Sequence, residues 1–234
     1  MVRRPHGGRT ARENLRRGAE PDLGPGRAGY PRRMARPRIH DDQLRLRLLD
    51  RAGELISTHG TEGLSLRRLA ADAGTSTTAV YSLFGSKAAV LRAVYIEAFQ
   101  RLRRRLDAVA RTDDPTEDLL ELGMAYRGSA LADPHLYAVM FQRSGSTALE
   151  ADEAATQAAT EAMRPLVATV ERGIEEGLLV DRPAHDIAYA CWAMVHGLVS
   201  LELDGGFAAV EVSAGICREA LTANIRGWRR RPAA

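Results

Sequence analysis

The sequence reads as an all-α protein of about nine helices. From Asp41 almost to the C-terminus apolar residues return at spacings of three and four, strand-like alternation is absent, and only 10 of 234 residues are proline. Pro115, Pro134 and Pro183 fall between the periodic stretches, where they mark helix boundaries.

Residues 1–38 lack that periodicity. They hold 11 Arg, no Lys and the acids Glu13, Glu20 and Asp22, a net of +8; the whole chain is +3, so the rest stands at −5. The segment reads as a disordered Arg-rich tail. It is either a basic arm with non-specific affinity for nucleic acid or a leader upstream of a start at Met34. Gly24, Gly26 and Gly29 match GxGxxG, but Pro25 interrupts them and no strand precedes, so no dinucleotide site is expected.

Helix 1 is expected from Asp41 or Asp42, as cap, to His59-Gly60, with Leu44, Leu48, Ala52, Leu55 and Ile56 inward. Ser65 caps a second helix whose Leu66, Leu69, Ala70 and Ala73 share one face, and Gly74 ends it. Ser76 caps a third, over 76–82, with Ala79, Val80 and Leu83 inward and Thr75, Thr77, Thr78, Tyr81 and Ser82 outward. Ser86 opens a fourth. Two short helices joined by a Gly turn, the second rich in small hydroxyls, form a helix-turn-helix, slim enough for a major groove.

Gly60, Ser65, Leu69, Ala70, Ala73, Gly74, Ser76, Tyr81, Phe84, Ser86, Lys87 and Leu91 follow in the order and spacing of the TetR/AcrR family, which this roughly 50-residue segment resembles. Thr75, Leu83 and Gly85 depart from the residues usual there. The resemblance implies that 39–86 is a three-helix DNA-binding domain. Its candidate contacts are Ser65, Arg67, Thr75, Ser76, Thr77, Thr78, Tyr81 and Lys87, with Thr77 and Thr78 reading base edges and Tyr81 and Lys87 meeting phosphates. Lys87 is the only lysine.

Helix 4 is expected to run from Ser86 to about Ala110, its Arg101, Arg103, Arg104 and Arg105 forming a solvated face. Thr112–Pro115 reads as a domain boundary. Helix 5 follows over about 116–131, a short apolar helix over 135–143, and a loop at 144–148. A stretch over 150–176 should be divided or kinked by Pro165. Helix 8 (about 184–204), a Gly205-Gly206 turn and helix 9 (about 210–229) complete the chain.

Residues 87–231 form the second expected domain. Helix 8 is apolar over so wide an arc that it needs partners on two sides. Helices 8 and 9 match the region that dimerises in TetR-like proteins, which makes Cys191, Val195, Leu198, Val199, Ile216 and Ala220 candidate interface residues. Trp192 to Leu198 also resembles a C-terminal subgroup with a Trp-His-Gly motif, as do residues 133–137 and Phe141. Tyr126, Tyr137, Met140, Phe141, Trp192 and His196 are candidate lining for an effector pocket.

Cys191 and Cys217 lack metal-ligand spacing and read as buried thiols in a reducing cytoplasm. No GxSxG, P-loop, HExxH or CxxC is present, so no enzyme, metal or cofactor is expected. No apolar run is long enough for a membrane span. The expected protein is a cytoplasmic homodimeric regulator, by resemblance a repressor, released from a palindromic operator by a small, mostly apolar ligand. The alternative is an effector-independent DNA-binding or architectural protein.

Overall fold

Nine α-helices account for most of the described residues, 38–141, 152–205 and 213–231, of the computed structural model, with side chains described from Asp41 onward. They are α1 (Arg38–His59), α2 (Leu66–Asp72), α3 (Thr77–Phe84), α4 (Lys87–Asp107), α5 (Pro115–Ala132), α6 (Pro134–Phe141), α7 (Glu153–Glu175), α8 (Ala184–Leu203) and α9 (Ala214–Trp228). A 3-10 turn, Thr61–Gly63, joins α1 to α2. The expected tail, the Met34 start, the glycine-rich match and the 144–148 loop lie outside the described residues, as does Gly206 of the expected turn.

Local chemistry sets most helix starts. The hydroxyl oxygens of Ser65, Ser76 and Ser86 accept from the amides of Arg68, Ala79 and Ala89. The Asp114 carboxylate accepts from Thr116 and Glu117, ahead of Pro115 in the first turn of α5. Asp152 and Ser213 cap α7 and α9 in the same way. Each such cap contributes about 1 kcal/mol. Gly74 follows α2 at φ +65°, the left-handed conformation that an L side chain adopts only with strain.

α3 runs to Phe84 rather than residue 82, and three further features differ from the sequence reading. α1 begins at Arg38, so Asp41 lies in the first turn rather than at the cap. α4 stops at Asp107, where the Ala108 amide closes onto Arg104 and Leu106 carbonyls. Pro165 divides nothing: α7 is continuous through it. A proline removes the amide that would bond the carbonyl four residues back. Here that carbonyl belongs to Glu161, and the Arg103 guanidinium of α4 donates to it instead.

The described residues form one unit with two hydrophobic cores. The first gathers Leu48, Ala52 and Leu55 of α1, Leu69 of α2, Val80 of α3 and Val90 and Val94 of α4. The second gathers Leu102 and Leu106 of α4 with α5, α7, α8 and α9, through Leu119, Leu166, Val170, Ile187, Val195 and Leu221. α4 runs through both. So does α6: Leu136 is buried in the first core, while Tyr137 is buried in the second. Gly53 makes the room for Leu136, since a Cβ there would sit 2.9 Å from its Cδ2.

Of the arginines expected to be a solvated face on α4, Arg104 is exposed, but Arg101 and Arg105 make ion pairs across this junction. Arg101 reaches Asp50 of α1 (2.7 Å), Glu97 (2.9 Å) and Asp133 (3.6 Å). Arg105 reaches Asp133 (2.7 Å) and the Ser129 carbonyl (3.0 Å). Glu97, buried within α4, is compensated by Arg101 and Arg104. No single described helix is long and apolar enough to cross a membrane.

Candidate functional site

α3 is held by its inner side and presents its outer one. Val80 is fully buried, and Leu83 and Phe84 pack against the first core. The Arg45 guanidinium of α1 lies 4.8 Å over the Phe84 ring. Outward stand Thr78, Ser82 and Tyr81, the last 53% exposed. Thr75 and Thr77 are half-buried at the turn. Ser65 and Ser76 are exposed, but their hydroxyl oxygens are spent on capping, which leaves the O–H of each as the group free to donate. Arg67 is exposed on α2, whereas Arg68 lies 3.8 Å from Asp72. Lys87 is half-buried at the first turn of α4.

In the second core lies a partly open apolar cleft with about 20 Å³ of free space, little more than a water molecule needs. None of its twelve lining residues is charged, and those that carry a polar side-chain group are Tyr126, Cys191 and Trp192. The rest of the wall is aliphatic, supplied by residues such as Leu106, Leu122, Met163 and Leu166. Of the six residues expected to line an effector pocket, Tyr126 and Trp192 border this cleft.

The other four are placed elsewhere. Tyr137, Phe141 and His196 form an aromatic cluster behind the cleft, with Phe141 4.5 Å and Trp192 5.2 Å from the His196 ring centroid. Met140 packs between the two cores. His196 Nδ1 lies 3.0 Å from the Tyr126 hydroxyl and 2.8 Å from that of Tyr137, which is also 3.0 Å from Ser200 Oγ. Burial lowers the His196 pKa, so the ring is neutral at neutral pH. Burial raises both phenols, which stay protonated donors. It also pushes the Cys191 thiol up to about 11, and that thiol donates to Asn224 Oδ1 at 3.3 Å.

The expected interface residues need correction. Cys191, Val195 and Val199 are buried within their own chain, and Cys191 and Val195 line the cleft. The wide apolar arc of α8 is consumed by α5, α7 and α9, so most of it never reaches the surface. Leu198 and Ala220 are half-buried and Ile216 is 42% exposed. Met194 and Leu201, the latter part of the expected apolar arc but neither among the expected interface residues, are exposed on α8 at 37% and 45%. Their spacing of seven was the signal available. Met163, Leu106 and Leu122 were likewise missed as lining residues, because nothing local separates a cleft wall from a core.

Comparison with known proteins agrees with this architecture. Residues 48–94 match the model for bacterial regulatory proteins of the tetR family, and residues 119–224 match that for a tetracyclin repressor-like C-terminal domain. The HTH-type transcriptional regulator Rv1816 of Mycobacterium tuberculosis is 28% identical over 114 residues, 47% of this chain. That match spans 48%, about half, of the curated relative's length. A protein of unknown function from Rhodococcus sp. RHA1 superposes with a TM-score of 0.69 at 28% identity, over 80% of this chain and 96% of that one. A TetR family transcription regulator from Marinobacter aquaeolei VT8 shares the fold, with a TM-score of 0.70 at 22% identity over 83% and 100% of the two chains. With both halves of the fold matched, and the matches together spanning well over half of its residues, the chain belongs to the TetR family of bacterial regulatory proteins.

Proposed function

We propose that this protein is a DNA-binding transcriptional regulator, a homodimeric repressor that a small apolar ligand releases from a palindromic operator. The family is a class of regulators and not of enzymes. The observation that carries the reading is α3, anchored by Val80 and capped by Ser76, with Tyr81 and Thr78 turned to solvent. Thr78 reads a base edge, Tyr81 and Lys87 meet phosphates, and Arg67 flanks the backbone. A two-fold dimer sets two such helices at about 34–36 Å or a related spacing, which demands a near-palindromic site.

The exposed apolar side chains Met194 and Leu201 of α8 and Ile216 of α9 support pairing with a second copy, as half-buried Ala220 does. The uncharged wall of the cleft, which a ligand must widen to enter, favours a ligand-responsive regulator over an effector-independent architectural protein. A ligand releases DNA only by as much as it prefers the non-binding state.

The test is a mobility-shift titration against palindromes flanking the protein's own gene. Lys87→Ala should weaken binding to all sequences and lower the salt slope by about one unit. Thr78→Ala should shift preference between operator variants by about 1–3 kcal/mol. An unchanged slope and unchanged preference would remove α3 and Lys87 from the interface. Leu201→Glu should give monomers by sedimentation; a stable dimer would move the interface elsewhere.

A further inference from the structure

The arginines around the first core are partnered unevenly. Arg51 of α1 and Arg68 of α2 share the Asp72 carboxylate, at 2.8 Å and 3.8 Å. Arg51 also pairs with Glu54. Arg45, earlier on α1, has a ring in place of an acid: its guanidinium lies 4.8 Å over Phe84, the last residue of α3. Asp41 and Asp42 stand one turn before it on α1, yet among the described residues no acid pairs with Arg45. A ring face attracts a cation but offers it no carboxylate oxygen, so the charge is held without being neutralised. The guanidinium keeps its donors for another acceptor.

Phe84 also fixes where that charge stands. It comes three residues after Tyr81, which is 53% exposed, and three before Lys87 in the first turn of α4. Arg45 therefore sits near the turn that joins the two candidate phosphate contacts. Its side chain is half-buried, so part of the stem is packed while the rest reaches solvent. An arginine already held by a ring loses less freedom on binding than one that moves freely in water.

We propose that Arg45 is a further contact to the DNA backbone, a guanidinium seated on Phe84 that meets a phosphate at the C-terminal end of α3. It brings α1 into an interface otherwise built from α2, α3 and the start of α4. This rests on the regulator reading above and adds a residue to its DNA surface. A guanidinium matches two phosphate oxygens with a parallel pair of N–H groups. Such a contact adds affinity and fixes orientation without reading sequence.

The full-length protein and its Arg45→Met, Arg45→Lys and Lys87→Ala variants are titrated by fluorescence anisotropy against two duplexes. One is the palindrome flanking the protein's own gene, and the other is a scrambled duplex of equal length. Arg45→Met keeps an apolar stem on the Phe84 ring and removes the charge. It should weaken both duplexes by the same factor, about tenfold for each bound copy at low salt, the loss of one charged hydrogen bond. Between about 50 mM and 200 mM salt that deficit should shrink about 3.5-fold per copy, because one phosphate contact fewer lowers the slope by about 0.9. Arg45→Lys should restore the slope, since it restores the charge.

Melting temperatures, taken in parallel, separate binding from folding. An Arg45 that only braces α1 against α3 would lower the melting temperature and leave the salt slope unchanged, which would overturn the proposal. A loss confined to the palindrome would also overturn it, since that is the mark of base reading. Should Arg45→Met fold poorly, Arg45→Gln removes the same charge and carries the same readout. A slope lowered by Lys87→Ala but by neither uncharged Arg45 variant removes this proposal and leaves the regulator reading standing. A wild-type protein that binds neither duplex removes both.

Discussion

Leu136→Ala is the most informative single substitution. The side chain is 4% exposed, and it inserts from α6 into the core built on α1 to α4, against Gly53. Truncation removes three carbons, about 2.4 kcal/mol at roughly 0.8 kcal/mol per methylene, before any cavity term. Gly53 has no side chain with which to fill the hole, so collapse is limited and the total should reach about 3–4 kcal/mol. Alanine is the best helix former, so α6 itself should persist. The assay is urea unfolding at a fixed protein concentration, which removes any contribution from association. With a slope of roughly 2 kcal/mol/M, the midpoint should fall by about 1.5–2 M without a change in slope. Val139→Ala on the same helix is the control, since Val139 is only partly buried and should cost about 1 kcal/mol or less. Equal losses for the two variants would refute the claim that α6 is keyed into the first core.

Other outcomes follow from single contacts. Asp118 is buried beside Arg172, with Thr112 donating to it from amide and hydroxyl; burial raises its carboxyl pKa, but the Thr112 and Arg172 bonds outweigh that and hold it below the ordinary value. Its contribution is therefore present above the ordinary carboxylate range and lost as pH falls through the lowered value; Asp118→Asn should cost about 3 kcal/mol near neutrality and flatten the acid side of a plot of melting temperature against pH. Gly74→Ala should destabilise by about 1 kcal/mol in chemical unfolding through backbone strain alone, because nothing lies within 4 Å of the added Cβ, and Gly74→Asn should cost less. Arg103→Met should cost about 1–3 kcal/mol by leaving the Glu161 carbonyl unpaired, and Pro165→Ala should recover part of that loss in a double-mutant cycle, since it restores the amide.

What the sequence made legible was local. Ser65, Ser76, Ser86 and Pro115 mark helix starts because a cap is a contact over two or three residues, and Gly74 marks a stop for the same reason. Thr78, Tyr81 and Ser82 were readable as outward on α3 from which of its positions were apolar, whereas Thr75 and Thr77, expected outward too, are half-buried at the turn. Non-local contacts were not. Pro165 promised a break because its compensating donor, Arg103, lies 62 residues away on another helix. Cys191, Val195 and Val199 suggested an interface because a wide apolar arc looks the same whether a second copy or the chain's own α5, α7 and α9 covers it. His196 was visible as a singular residue, yet its two tyrosine partners lie 59 and 70 positions upstream, so their convergence on one nitrogen belongs to the tertiary structure.

The keying of α6 into the first core bears on how the reading head could be transplanted. A segment cut out at residue 86 takes α1 to α3 with it but leaves behind Val90, Val94 and Ala98 of α4, together with Leu136. Such a fragment would expose the hollow at Gly53 and the apolar inner faces of α1 and α3 to water. Chimeras that graft this head onto another member's body should therefore import the first half of α4 and a matching α6, although some 40 residues of foreign chain intervene between them. Joining by sequence order alone would pair a head with a wedge shaped for a different hole.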